Sequence, residues 1–306
     1  MEDYRQGESG TVTDGFLLFV MITGSFILAQ VLSFAFLQMI GLSIADMGSL
    51  GDSFSQNLTA FKWLQIFSAL IIFLLPAFLF SKYKTGRILG YFHHRNGMHI
   101  LPIVLAGFAM LLSYPLLLVS MKINSFLTLP ESLRMIEELM RNMEDSAAEM
   151  TVKFLTMDSV GSLALNMFMI AIIPAVGEEL LFRGCIQKLL RKGLGNPHIA
   201  IILTGAIFSF FHFQFFGFLP RWIMGIILGY LFYYSGNIWY PIIAHFLNNG
   251  FQVLMVYLGQ MPLDEVNTPE LPPMDFAFTA AAIGSIVCIG LVFKVYKNHF
   301  DKHGVG

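Results

Sequence analysis

The chain has 306 residues, and its 27 glycines bring the apolar-plus-glycine share to about 65%, against roughly 45–50% for a soluble domain. Charged residues are 12%, about half the usual share, so an aqueous fold could not bury the apolar surface and the chain reads as an all-α polytopic membrane protein. A net charge of −2 argues against a nucleic-acid partner. Cys185 and Cys288 stand far apart in apolar contexts, which excludes a disulfide scaffold and a cysteine-rich metal site.

A membrane helix needs about 20 apolar residues to cross a hydrocarbon core of about 30 Å. Eight runs reach or approach that length: 15–42, 61–80, 99–120, 161–190, 197–217, 219–235, 237–258 and 276–296. The fifth and sixth meet at Pro220, where a re-entrant pair is the alternative. With the N-terminus placed inside, 12 of the 18 Lys and Arg fall in inner segments, among them Arg5, Arg95 and Lys302. That bias predicts both termini in the cytoplasm and an even number of spans, with the plasma membrane as the expected location.

The longest loop, 121–160, carries Leu133, Ile136, Leu139, Met140 and Met143 at helical spacing, while Glu137, Glu138 and Arg141 face away. It predicts an amphipathic helix over about 130–150 on the outer surface. Segment 259–275 has four prolines and four acids and reads as an exposed loop. The expected organisation is a scaffold over 1–160, a chemical unit over 161–258, and a loop, last span and basic tail over 259–306.

Ionisable residues within spans cost about 2.5–3.5 kcal/mol each at the bilayer centre on insertion scales. Here they cluster in the second half: Glu178, Glu179 and Arg183 in IIPAVGEELLFRG, His212 in AIFSFFHFQFF, and His245 with Asn248 and Asn249 in WYPIIAHFLNNG. Glu179 and Arg183 share a helix face at i and i+4 and can pair. Glu178 points about 100° away and is free to face the histidines. Phe208 and His212, and likewise His245 and Asn249, repeat the four-residue spacing. A helical pattern continuing to Lys192 puts Glu178 near mid-depth, where His212, about 15 residues into its span, can meet it. A carboxylate, two histidines and a carboxamide from three helices are the groups needed to activate water and stabilise an oxyanion.

The three motifs, Glu178-Glu179-x-x-x-Arg183, Phe208-x-x-x-His212 and His245-x-x-x-Asn249, resemble those of the CAAX-protease and bacteriocin-processing (CPBP, or ABI) intramembrane proteases. That family includes type II CAAX prenyl endopeptidases and lysostaphin-resistance-protein-A-like proteins. The resemblance covers 178–249 and implies about eight membrane helices around a cavity, with peptide-bond hydrolysis as the activity. It implies Glu178 as general base with His212 helping to hold the water, His245 and Asn249 polarising the scissile carbonyl, and Glu179 and Arg183 as structural support. Expected partners are membrane lipid and a peptide or protein substrate.

The favoured mechanism uses no cofactor. Zinc held by Glu178, His212 and His245 is the alternative, since two His and one Glu form a peptidase ligand set. Two non-protease alternatives also stand: a proton- or ion-coupled transporter, and a catalytically silent scaffold. The absence of an internal repeat weighs against the transporter. Gly225-x-x-x-Gly229 supports helix packing under each reading.

Overall fold

The computed structural model describes residues 10–42, 52–92, 97–263, 271 and 273–302. Arg5 and Arg95 of the charge count lie outside them, as do 264–270 and 272 of the expected 259–275 loop. The described residues are helical, with no strand among them. Besides the short helix Asp52–Gln56, the helices are α1 (Thr11–Met39), α2 (Leu58–Thr85), α3 (Ile100–Ser125), α4 (Arg134–Leu155), α5 (Val160–Leu194), α6 (Pro197–Phe210), α7 (Phe218–Ser235), α8 (Trp239–Tyr257) and α9 (Phe276–Lys302).

Each of the eight expected spans coincides with one of these helices, but only six helices among the described residues are long and apolar enough to cross a membrane. The 14 residues of α6 rise only about 21 Å, short of a hydrocarbon core of about 30 Å. Helix α8, interrupted by His245, Asn248 and Asn249, is also outside the six. The protein is therefore an all-α polytopic membrane protein whose second half mixes full spans with the short α6 and the more polar α8.

Helix α5 is the centre of the arrangement. It packs against α1, α2, α6, α7 and α8, while α3 joins α7 and α8 and carries α9 along its side. Its 35 residues run about 52 Å, more than a straight crossing needs, so it tilts or protrudes. Two π segments interrupt it, Met167–Ile172 and Phe182–Gln187. The first ends just before Pro174, whose ring nitrogen has no hydrogen for the carbonyl of Ile170 four residues back. Helix α2 repeats the device, with π segment Leu70–Leu74 just ahead of Pro76. A widened turn is one way a membrane helix absorbs a proline. Helices α1 and α2 are tied at their ends by buried Asp14, whose carboxylate accepts from Lys84 Nζ at 2.8 Å.

Helix α4 runs through most of the segment near 130–150 expected to be an amphipathic helix. A short 3-10 turn, Glu131–Leu133, follows Pro130 and leads into it. Glu137 pairs with Arg141 at 2.6 Å on its polar side, and Met135, Ile136, Leu139 and Met143 are exposed.

Candidate active site

The first motif lies mid-way along α5. Glu179 and Arg183 are completely buried, and Arg183 Nη1 donates to Glu179 Oε1 at 2.8 Å. The i,i+4 pair read from spacing is thus formed. The guanidinium is held from two further directions. Its Nη2 donates to the carbonyl of Gly225 at 3.0 Å, and its plane lies over the Phe208 ring at 4.7 Å. One turn on, Gln187 Nε2 donates to the carbonyl of Gly229 at 3.0 Å. Arg183 and Gln187 therefore bond to the same two glycines that make up Gly225-x-x-x-Gly229.

Those glycines bring α7 against α6 and α5. A Cβ on Gly225 would lie 2.8 Å from the Cα of Gly205, which is backbone and cannot swing aside. A Cβ on Gly229 would meet side chains only, Ile201 at 2.8 Å and Gln187 at 3.1 Å. The motif that supports packing under any functional reading does something more specific here, because it places a carbonyl where the buried guanidinium needs an acceptor.

The same carboxylate oxygen that pairs with Arg183 also receives His245. Glu179 Oε1 lies 2.9 Å from His245 Nδ1, and both side chains are buried. An ionised carboxylate only accepts, so Nδ1 carries the hydrogen. The other ring nitrogen, Nε2, faces Glu178, whose Oε2 is 4.0 Å away. Glu178 is buried, and that oxygen has no hydrogen-bond partner among the described residues. The gap exceeds a direct hydrogen bond and is the separation at which a polar contact is bridged by water. The two adjacent acids thus take opposite nitrogens of one histidine. Glu179, expected only to support Arg183, also sets the tautomer of His245.

His212 is placed differently from expectation. Helix α6 stops at Phe210, so His212 sits in the turn that follows it rather than deep in a span. The four-residue spacing still works: Nδ1 of His212 donates to the carbonyl of Phe208 at 2.9 Å, which leaves Nε2 as an acceptor. The next residue, Phe213, has φ of 52°, the left-handed region, at a cost on the order of 1–3 kcal/mol for a non-glycine. Phe208 ties the motifs together. Its ring lies 4.9 Å from that of His212, 6.1 Å from that of His245 and 4.7 Å from the Arg183 guanidinium.

Asn249 is half-buried on α8. Its Nδ2 donates to the carbonyl of Ile170 at 3.1 Å, and its Oδ1 accepts from Asn248 at 3.0 Å. Ile170 is the carbonyl that Pro174 cannot serve, so the proline in IIPAVGEE is the sequence signal for this contact. One Nδ2 hydrogen remains for a ligand.

The structure brings Glu179, Arg183 and His245 into direct contact, with Glu178 Oε2 4.0 Å from His245, His212 joined to them through Phe208, and Asn249 one turn along α8. The donor set suits zinc in kind, since each histidine commits Nδ1 to an oxygen and leaves Nε2 bare. Among the described residues no group of three or more His, Cys, Asp or Glu is close enough to hold a metal ion.

An apolar cavity of about 1010 Å³ lies beside this constellation, between α1, α2, α4, α5 and α6. None of the motif side chains lines it. Phe211 and Phe213, on either side of His212, do, and so does Phe73. Phe182 lies tilted against Phe73 at 6.4 Å and edge-on to Phe211 at 5.6 Å, between these cavity-lining rings and the motif residues of α5.

No curated protein and no solved structure matches the chain. A family model does match, over α5 to α7 and the larger part of α8: that of the Rce1-like proteins, type II CAAX prenyl endopeptidase Rce1-like, at residues 160–251. All three motifs fall inside the matched stretch, so the segment that carries the site is similar to the proteins of that family model.

Proposed function

We propose that the protein is an endopeptidase that hydrolyses a peptide bond within the membrane using water activated by Glu178. The observation that carries this reading is the opposed placement of Glu178 and Glu179 on the two nitrogens of His245. Glu178 accepts a proton from water, and the resulting hydroxide attacks the scissile carbonyl. His212, with its Nδ1 hydrogen committed to Phe208, offers Nε2 as an acceptor that helps orient the water. The remaining amide hydrogen of Asn249 donates to the developing oxyanion.

His245 has a more constrained part. Its Nδ1 hydrogen is taken by Glu179, so a hydrogen bond from this ring to an oxyanion must come from Nε2 and needs a second proton on the ring. Glu178, once it has accepted a proton from water, stands 4.0 Å from Nε2 and is the group to deliver it. The imidazolium then lies against the ionised Glu179. Collapse of the tetrahedral intermediate returns a proton to the leaving amine, and both acids end ionised as they began.

The apolar cavity suits a substrate whose scissile bond lies beside a hydrophobic portion. The family name points to prenylated C-a-a-X peptides as the class to examine first. The test is cleavage of matched peptides, farnesylated and unmodified, by purified protein in detergent. Cleavage of the farnesylated peptide alone supports the prenyl class, and cleavage of neither overturns it. We infer further that both termini face the cytoplasm of the plasma membrane, and a reporter fused after Lys302 that reads external would contradict this.

A further inference from the structure

The turn that carries His212 is held from the half of the chain that has no motif. After α6 the chain passes through His212, the left-handed Phe213 and a 3-10 turn, Phe215–Gly217, before α7 starts at Phe218. Backbone polar groups of such a turn, where it is shielded from water, need protein partners. Two of them find one in Asn124, the buried residue near the end of α3. Its Nδ2 donates to the carbonyl of Phe215 at 2.9 Å, and its Oδ1 accepts from the N–H of Leu219 at 3.0 Å. A third is met from outside the bundle: Glu144 of α4 accepts from the N–H of Phe216 at 2.9 Å, while Arg141 of the same helix covers the Phe216 ring at 4.1 Å. On the turn's own side, Arg221 Nη1 donates to the carbonyl of Gln214 at 2.9 Å.

Neither Asn124 nor Glu144 touches a motif residue, and both precede the family-matched segment. We propose that Asn124 and Glu144 are positioning residues for His212, acting through the backbone of 213–219. They fix the far end of the turn, so that Phe213 is held left-handed and the ring of His212 is kept against Phe208. The surface helix α4 thereby becomes part of the catalytic apparatus rather than a cap. It also touches the cavity, which Ser146, Met150 and Phe154 line together with Phe213. The assignment rests on the proposed role of His212, so its test needs a readout that does not depend on peptide cleavage.

The experiment compares wild type with Glu144→Ala, Glu144→Gln and Asn124→Ala, all as full-length protein in detergent. Glu144 is on a surface helix, so its variants keep the proposal testable should Asn124→Ala fail to fold. Histidine-selective 15N NMR follows the His212 ring, identified as the signal lost in His212→Gln. Glu144→Ala and Asn124→Ala are expected to shift the His212 signal and leave that of His245 in place. Glu144→Gln keeps an acceptor for Phe216 N–H and is expected to restore the wild-type signal. With a cleavable peptide, kcat for Glu144→Ala is expected to fall by about 10²-fold, the scale of an ångström of misplacement, with KM nearly unchanged. An unmoved His212 signal in Glu144→Ala overturns the proposal whether or not any peptide is cleaved. A shifted His212 signal in a protein that cleaves nothing would leave the positioning intact and sink the protease reading instead.

Discussion

Glu179 and His245 are joined by a 2.9 Å hydrogen bond between two buried side chains 66 residues apart, on the oxygen that also takes Arg183 at 2.8 Å. One carboxylate therefore neutralises a buried guanidinium and sets the tautomer of the histidine beside the proposed base. Stability and chemistry meet in it, and the two can be pulled apart by mutation.

Glu179→Gln leaves Arg183 buried without its counter-charge. Breaking a buried pair in this way costs about 3–5 kcal/mol, so the variant is expected to give less folded protein and a lower melting temperature in detergent. Replacing Glu179 and Arg183 together by Leu and Met should recover part of that stability, because no stranded charge remains. Activity should not return, since His245 has lost its acceptor. A double variant no more stable than the single would show that the pair is not the unit we describe.

The glycines of α7 should differ in their tolerance. Gly225→Ala forces the new Cβ against the backbone of Gly205 and displaces the carbonyl that Arg183 uses. Overpacking of this kind costs about 1–3 kcal/mol. Gly229→Ala meets side chains, Ile201 and Gln187, rather than backbone, and is expected to cost less. Thermal unfolding of the two variants side by side decides it, and equal losses would mean that the Gly225–Gly205 contact has no special weight.

Asn249→Ala removes the amide that spans Ile170 and the proposed oxyanion. Loss of one oxyanion donor lowers kcat by about 10²–10³ and leaves ground-state binding nearly intact. Steady-state kinetics on a cleavable peptide give the comparison. A rise in KM with kcat preserved would assign Asn249 to substrate binding.

Metal dependence is open to direct measurement. Purified active protein is expected to contain well under one zinc per chain, and its activity should survive prolonged chelation. Stoichiometric zinc that tracks activity, is lost to a chelator and returns on adding metal would overturn the glutamate reading. Glu178, His212 and His245 would then be the ligands to examine.

Much of this site could be read from spacing. The Glu179–Arg183 pair and the His212–Phe208 contact are local, four residues apart, and periodicity finds such contacts. The Glu179–His245 bond could not be found that way, because it depends on how α5 and α8 pack. The role of Gly225 was hidden for a related reason: its carbonyl, not its missing side chain, meets Arg183. Pro174 is a usable signal that spacing alone passes over, since a proline within a helix strands a carbonyl and something must donate to it. Span counting works where apolar runs are long and falls short at α6 and α8, whose lengths and polar residues set them apart from the other spans.

Glu178 is the residue on which the proposed chemistry depends. The decisive measurement is the single-turnover rate of peptide hydrolysis by purified Glu178→Gln beside wild type, both shown to be folded and inserted. Gln keeps the shape of the side chain but cannot accept the water's proton. Loss of a general base typically lowers the rate by about 10²–10⁴-fold, and a fall at least that large is expected, with substrate binding retained. Near-wild-type turnover by this variant would contradict a glutamate-activated water.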